Sequence, residues 1–376
     1  MDFSFTDEQK LLADTLSRFV AKEYGFEKRR AIIASPEGFS REAWQTLADM
    51  GVLGLPFAEE YGGIGGGAVD MMVVMNAIGA GLVVEPYLST VVLAGGLIDA
   101  LGSDAQKKTL LPAIAEGKLI AAFAHAEPRS RYDLAQVTTE AKRAGSAWGI
   151  GGEKAVVLHA GQSDKLVVSA RTSGKAGDAH GISLFLVERK AKGVMLRDYR
   201  TIDGLHAAEI VFNGAAGELL GEEGKAYDAI ERIADAGAAM LCAEAVGAME
   251  ALHAQTREYI KTRQQFGQPI GRFQVLQHRA VDMMIHCEQS KSMACLAAVR
   301  SQAADARERR RAVSAAKAHI GRSARFVSQT AIQLHGGMGV TNELPASHYA
   351  KRLAMINHQL GDAEHHLERF MREGAV

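Results

Sequence analysis

The spacing of apolar residues changes twice along these 376 residues, and the order of those changes limits the fold more than any single motif does. Up to about residue 117 the spacing is helical. Thr6-Asp-Glu-Gln9 is a capping-box pattern, with Leu11, Leu12, Leu16, Phe19 and Val20 following at helical intervals. Ser40 opens a second helix that carries Trp44 and Leu47 and closes at Gly51. Further helices are expected at roughly 68–80, 89–101 and 104–116. After Gly117 short apolar or alternating runs appear, at 119–125, 137–142, 147–151, 155–158, 165–170, 182–187, 194–200 and 207–212, as in an antiparallel sandwich or barrel. From about 226 the helical period returns over 226–262, 270–301, 306–334 and 345–372, lengths that suit a bundle with oligomeric contacts. The expectation is an α+β chain: an N-terminal all-α domain (1–117), a middle antiparallel β domain (118–225) and a C-terminal four-helix bundle (226–376).

A net charge of −1 leaves no basic footprint for nucleic acid or a membrane surface. Cys242, Cys287 and Cys295 lie in apolar helical contexts and read as core thiols of a reducing compartment, not as a disulfide or zinc framework. Residues 1–20 read as an amphipathic helix without a basic leader, and the apolar stretches break before the length of a membrane span, so a cytoplasmic protein is expected. His358, His365 and His366 with Glu364 lack the His-Glu-x-x-His spacing, and no metal is expected. The run Arg-Glu-Arg-Arg-Arg at 307–311 reads as a solvated helix face.

Two stretches carry chemical possibilities. In residues 257–283 a helix runs into Thr262, breaks at Gly267 and Pro269, and restarts. Arg263 and Phe266 stand at the break. A cation at a helix C-terminus complements the helix dipole. The same guanidinium can also grip a phosphate, with Phe266 covering a flat heterocycle and Gly267 allowing close backbone approach. Both readings stay open on these residues alone. Gly63-Ile-Gly65-Gly-Gly-Ala68, with Glu85 downstream, fits a dinucleotide fingerprint in spacing. It lacks the preceding buried strand, so glycine punctuation between helices is expected instead.

Residues 333–345, Gln333-Leu-His-Gly336-Gly337-Met-Gly339-Val-Thr-Asn-Glu-Leu-Pro345, add a second motif one long helix later. Arg-x-x-Phe-Gly followed by Gln-x-x-Gly-Gly-x-Gly, in this order, resembles the acyl-CoA dehydrogenase family, and the resemblance extends over essentially the whole chain. Glu60-Tyr-Gly-Gly-Ile-Gly65 matches a further family loop. The resemblance implies FAD as cofactor, an acyl-CoA substrate undergoing α,β-desaturation, and an electron acceptor such as an electron-transfer flavoprotein. It also implies that Arg263, Phe266, Gln274, Gln333, Gly336 and Gly337 reach the FAD pyrophosphate and adenine of an adjacent subunit.

Other family elements have changed. The flavin-covering loop Val-Thr-Glu-Pro-Gly-x-Gly-Ser-Asp reads His125-Ala126-Glu127-Pro128-Arg129-Ser130-Arg131-Tyr132-Asp133. Lys-x-Trp-Ile-Thr-Asn reads Lys154-Ala155-Val156-Val157-Leu158-His159, and Tyr-Glu-Gly-Thr reads Gln359-Leu360-Gly361-Asp362. The catalytic glutamate is thus Leu360. An alternative family position, about ten residues before Ala245-Val246-Gly247, is Gly237; Asp235, Glu244 and Asp362 are the nearby carboxylates. Arg129 and Arg131 are candidates for a distal substrate carboxylate, a CoA phosphate or plain solvent. The expectation is a half-site subunit that completes a homologous partner's FAD site, as in heteromeric members of the family. The rivals are a self-sufficient homo-oligomer with a relocated carboxylate base and a flavin-free scaffolding subunit.

Overall fold

The computed structural model describes residues 5–145 and 147–374. Helix α1 (Asp7–Glu23) starts at the expected capping box, with the Thr6 side chain and the Gln9 side chain each bonded to the other's backbone N–H. Helix α2 (Phe26–Ala34), which the apolar spacing did not reveal, follows at once. Its apolar side is completed by Arg29, a buried cation whose Nε donates to Leu82 O at 2.7 Å. Helix α3 (Arg41–Asp49) is capped by Ser40. A 3₁₀ turn (Glu59–Tyr61) and the glycine loop lead to α4 (Ala68–Gly81). The single helix expected over 89–101 is instead a π-helical segment (Leu88–Gly95) running into α5 (Gly96–Leu101). Within it Thr90 turns its hydroxyl to Ala121 O at 2.9 Å. Helix α6 (Asp104–Ala115) opens on a second capping box, Ser103 with Gln106.

The β region has strands β1 (Ala121–Ala124), β2 (Glu140–Ala144), β3 (Ala147–Leu158), β4 (Lys165–Arg171), β5 (Ile182–Glu188), β6 (Val194–Arg200) and β7 (His206–Leu220). The pairings β4–β2–β3–β7–β5–β4 close into a ring, with β1 added to β4 and β6 to β7. Closure removes sheet edges. Alternate residues such as Ile150, Leu166, Val168, Phe185, Ile210 and Phe212 fill the interior. Most pairings are antiparallel as expected, but β1 and the end of β2 run parallel to β4, because the long 125–139 connection brings the chain back in the same direction. The two runs at 147–151 and 155–158 form one strand, interrupted by register shifts after Ile150 and after Lys154.

The rest is helical: α7 (Tyr227–Thr262), a hairpin of β8 (Gln264–Gln265) and β9 (Gln268–Pro269), a 3₁₀ turn (Ile270–Arg272), α8 (Gln274–Ser301) and α9 (Ala306–His335). A 3₁₀ turn (Gly336–Val340), α10 (Pro345–His358) and α11 (Ala363–Gly374) follow. The continuous segment expected over 345–372 is therefore broken at 359–362. The 307–311 run is not wholly solvated either. Arg309 is buried, and Arg310 forms a two-pronged pair with Glu373 at 2.6 and 3.1 Å.

Two compact units are present. One comprises the described residues up to Ile32, Ala68–Val83 and everything from Ala238 onward; the other comprises Ile33–Gly67 and Val84–Gly237. They cut across the three segments expected from apolar spacing. In the first unit α4 and α7 cross closely. A Cβ on Gly79 would lie 1.9 Å from Glu244 O, and one on Gly247 would lie 1.9 Å from Asn76 O. Gly247 is thus a contact point in the middle of a helix.

Candidate flavin and acyl-CoA site

The break after α7 is a two-residue hairpin in which Phe266 and Gly267 both have positive φ, 55° and 75°. That is the pattern of a type I′ turn, where asparagine and glycine are favoured and phenylalanine is strained. The strained residue is also 87 % exposed, touching Phe273 edge-on at 5.9 Å between ring centroids. Arg263, Gln274 and Gln333 are exposed too, and their side chains have no hydrogen-bond partner among the described residues. Beside them, Cβ atoms added at Gly336 or Gly337 would meet nothing within 4 Å.

Tyr259 joins the two motifs. Its ring stacks on His335 at 4.3 Å and its hydroxyl donates to His335 O at 3.3 Å, tying the end of α7 to the end of α9. Neither was singled out for its side chain: Tyr259 stands one turn before Arg263, and His335 is the variable position directly before Gly336 inside the second motif. The dipole reading of Arg263 keeps some force, since its N–H still closes the helix on Tyr259 O.

The turn between α10 and α11 is built in the opposite way. Leu360 has φ 53° and Gly361 φ 105°. The carbonyls of this turn are taken by buried donors. Lys317 Nζ donates to Gly361 O at 2.7 Å, Ile356 O at 2.9 Å and Asn357 O at 3.2 Å. His366 Nε2 lies 2.9 Å from Leu360 O and Nδ1 3.2 Å from Ser314 Oγ. Burial, with the Lys317 charge adding to it, pushes the His366 pKa down to about 3, so the ring is neutral and its Nε2–H is the donor. Burial also lowers Lys317 to about 8, leaving it protonated at neutral pH with three carbonyls around the charge.

The candidate carboxylates are engaged elsewhere. Asp362 accepts the His365 N–H at 2.9 Å and so caps α11. Glu244 is locked to Arg352 by two bonds, 2.5 and 2.8 Å, with both side chains buried. Asp235 is fully buried on α7 and does not stand free. Glu364 pairs with Arg322. Among the described residues no three His, Cys, Asp or Glu side chains form a metal-sized group.

In the β-containing unit, the 125–139 connection is stapled at its base. Lys154 Nζ reaches Glu127 Oε1 at 2.7 Å, His125 O at 3.0 Å and Ser169 Oγ at 3.0 Å, all out of water. Glu127 also accepts the N–H groups of Thr138 and Thr139. Burial pushes the Glu127 carboxyl up, but the Lys154 charge and these bonds outweigh it and hold it well below the usual range. Arg129 and Arg131, in this connection, are exposed and pair with no carboxylate among the described residues, and Arg131 has φ 46°. Val156, at the bulge where Ala155 N–H bonds to Ala126 O, has φ 53° and is 52 % exposed. A β-branched residue in this conformation is a true outlier.

Six non-glycine residues have positive φ: Leu82, Arg131, Val156, His159, Phe266 and Leu360. All but Leu82 lie on the elements matched to the family's flavin or base. Strain of order 1–3 kcal/mol per residue persists where the surroundings over-determine it.

The glycine loop at 63–68 follows no strand and folds back on the chain before it, Gly65 N–H to Phe57 O and Gly66 N–H to Leu55 O. Glu85 is taken up inside the chain. It is buried, accepts the Ser40 N–H at 3.0 Å, and has its pKa raised to about 7 by burial.

Comparison with known proteins matches this geometry to one family. Residues 6–118, 122–215 and 227–374 match the N-terminal, middle and C-terminal domains of acyl-CoA dehydrogenase. The chain belongs to the acyl-CoA dehydrogenase family, FAD-dependent oxidoreductases acting on a CH–CH bond of an acyl-CoA. It is 30% identical over 361 residues to the short-chain-specific acyl-CoA dehydrogenase of Clostridium acetobutylicum, covering 92% of each chain. The structure of butyryl-CoA dehydrogenase from Megasphaera elsdenii superposes with a TM-score of 0.90 at 26% identity, over 99% of both chains. A chain of the ChsE4-ChsE5 complex from Mycobacterium tuberculosis superposes with a TM-score of 0.88 at 25% identity, over 99% of this chain and 98% of that one.

Against this cofactor the two groups of residues differ. The exposed guanidinium, amides, aromatic ring and open glycines at 263–274 and 333–337 fit a pyrophosphate and adenine. Ala126, Val156 and Leu158 offer the flavin ring no hydrogen-bonding side chain. Leu360 cannot take a proton. No helix among the described residues is long and apolar enough to cross a membrane.

Proposed function

We propose that this chain is the half-site subunit of a hetero-oligomeric acyl-CoA dehydrogenase, resembling most closely the small subunit of pimeloyl-CoA dehydrogenase. Its bundle end completes the FAD site of a homologous partner, and its own base position is silent. FAD, when bound, would supply the acceptor for the hydride removed from the acyl chain. This chain's part would be to hold the cofactor: Arg263 would grip the pyrophosphate, Phe266 would cover the adenine end, Gln274 and Gln333 would donate, and Gly336 and Gly337 would permit close approach. One observation carries the reading. Arg263, Gln274 and Gln333 are exposed with no side-chain hydrogen bond among the described residues, beside an exposed Phe266 at φ 55°, whereas Glu244 is paired with Arg352 and Asp362 caps α11. Two-component assembly is supported by the likeness to the ChsE4-ChsE5 complex. The electron acceptor of this reading is an electron-transfer flavoprotein. Its substrate is a dicarboxylyl-CoA whose distal carboxylate meets Arg129 and Arg131.

The test is flavin content. Arg263→Ala should release FAD from the assembled complex, Arg263→Lys should retain part of it because charge survives without the fork, and the melting curve of this chain alone should not move. A helix-capping role predicts a small stability loss rescued by lysine and full flavin. Full flavin occupancy in Arg263→Ala sinks the proposal.

A further inference from the structure

The two halves of the proposed FAD grip come from the ends of different helices, α7 and α9, and each half is braced against its own helix. The 3₁₀ turn after the β8–β9 hairpin presses on α7: a Cβ on Gly271 would lie 2.9 Å from Ile260 O, and the Ile270 N–H bonds to Arg263 O at 2.8 Å. The 336–340 turn folds back on α9 in the same way. A Cβ on Gly339 would lie 2.7 Å from Ile332 O and 3.0 Å from the His335 Cβ. Neither half by itself sets its distance from the other. A guanidinium fork and a backbone loop that grip one diphosphate together must be held to within about 0.5 Å of the productive spacing.

Tyr259 and His335, 76 positions apart in the chain, meet where that distance is set. Tyr259 lies one turn before Arg263 on α7, and His335 is the last residue of α9, directly before Gly336. The His335 ring is buried and its plane is fixed, because its Nδ1–H donates to Ala331 O at 2.8 Å. Burial also lowers its pKa, so at neutral pH it presents an uncharged flat face. Tyr259 lies on that face with ring centroids 4.3 Å apart and planes 28° from parallel. Its hydroxyl contact with His335 O, at 3.3 Å, is longer than an ordinary O–H···O bond, so the stacked rings carry the attachment more than the hydroxyl does. Resting on the half-site function proposed above, we infer that Tyr259 and His335 are positioning residues of the cofactor grip. Their stacked rings hold the Arg263 guanidinium at the spacing from the Gly336–Gly337 backbone that one FAD diphosphate requires.

The experiment is a double-mutant cycle read by titrating FAD into the assembled complex after its flavin has been removed. Tyr259→Leu should weaken FAD binding about tenfold, and Tyr259→Phe, which keeps the ring, less than twofold. His335→Ala should match Tyr259→Leu, and His335→Phe should recover most of that loss. In an Arg263→Ala background, Tyr259→Leu should add less than a twofold loss, because an absent fork cannot be misplaced. A residue that merely stabilises the bundle would weaken FAD by the same factor in both backgrounds, and that result overturns the inference. Unchanged FAD affinity in Tyr259→Leu overturns it too, as does a Tyr259→Phe loss as large as that of Tyr259→Leu. Where Arg263→Ala releases FAD and Tyr259→Leu does not, the positioning role alone fails. Where Arg263→Ala binds FAD as tightly as before, the half-site function fails and the positioning role falls with it.

Discussion

Two helix breaks in the C-terminal region use the same backbone device for opposite ends. After α7, Phe266 and Gly267 turn the chain through positive φ; after α10, Leu360 and Gly361 do so. In the second break the neighbourhood explains the strain. Lys317 and His366, both buried, claim four carbonyl groups there, and Asp362 caps the next helix. In the first break only the short β8–β9 hairpin holds the turn. It presents a Phe266 ring that is almost fully exposed and touches Phe273 at its edge, and the Arg263 side chain makes no hydrogen bond or ion pair among the described residues. A strained residue displayed outward in this way motivates the hypothesis of an external partner.

The contrast can be broken from either side. Lys317→Met, similar in size but without donors, removes the donor to Gly361 O and Asn357 O, while Ile356 O keeps the Gln359 N–H, and should cost about 3 kcal/mol, read from denaturant midpoints. If it costs no more than Arg263→Ala, the closed turn is not held as described. The closed turn should also be acid-sensitive. His366 is neutral when folded, with its pKa lowered to about 3 from 6.5 by burial and the Lys317 charge, so the unfolded chain binds the extra proton. Its contribution is complete above about pH 6.5 and is lost as pH falls toward 3. His366→Gln, which keeps a donor but cannot be charged, should flatten the stability–pH slope in that window; an unchanged slope would refute the assignment. The smallest effect is at the open turn. Phe266→Asn places a favoured residue in a type I′ turn and should raise stability by about 0.5–1 kcal/mol while weakening FAD retention in the complex. A loss of stability with flavin retained would mean the ring serves this chain and not a partner.

The α–β–α order was legible because apolar spacing reports burial directly: period near 3.6 up to Ala115, period 2 over β1–β7, then helices to the end. The stretches proposed to meet FAD were legible because glycine and arginine patterns at 263–267 and 333–339 are local. Helix α2 was not, since a buried Arg29 breaks its apolar stripe. Nor was the break at 359–362, where only one glycine marks the turn.

By itself the sequence determined the α–β–α order along the chain, the helix caps at Thr6, Ser40 and Ser103, and a leucine at the position where the resemblance places a base, because each depends on residues close together in the chain. Tertiary structure alone decided which charged groups are spent. Glu244 meets Arg352 across 108 positions, Lys317 meets Gly361 across 44, and the roles of both follow from burial in a pairing that chain-local patterns do not encode. The same physics separates the two turns: one is saturated by distant donors brought to it by packing, and the other is left facing outward with its guanidinium and ring unmatched.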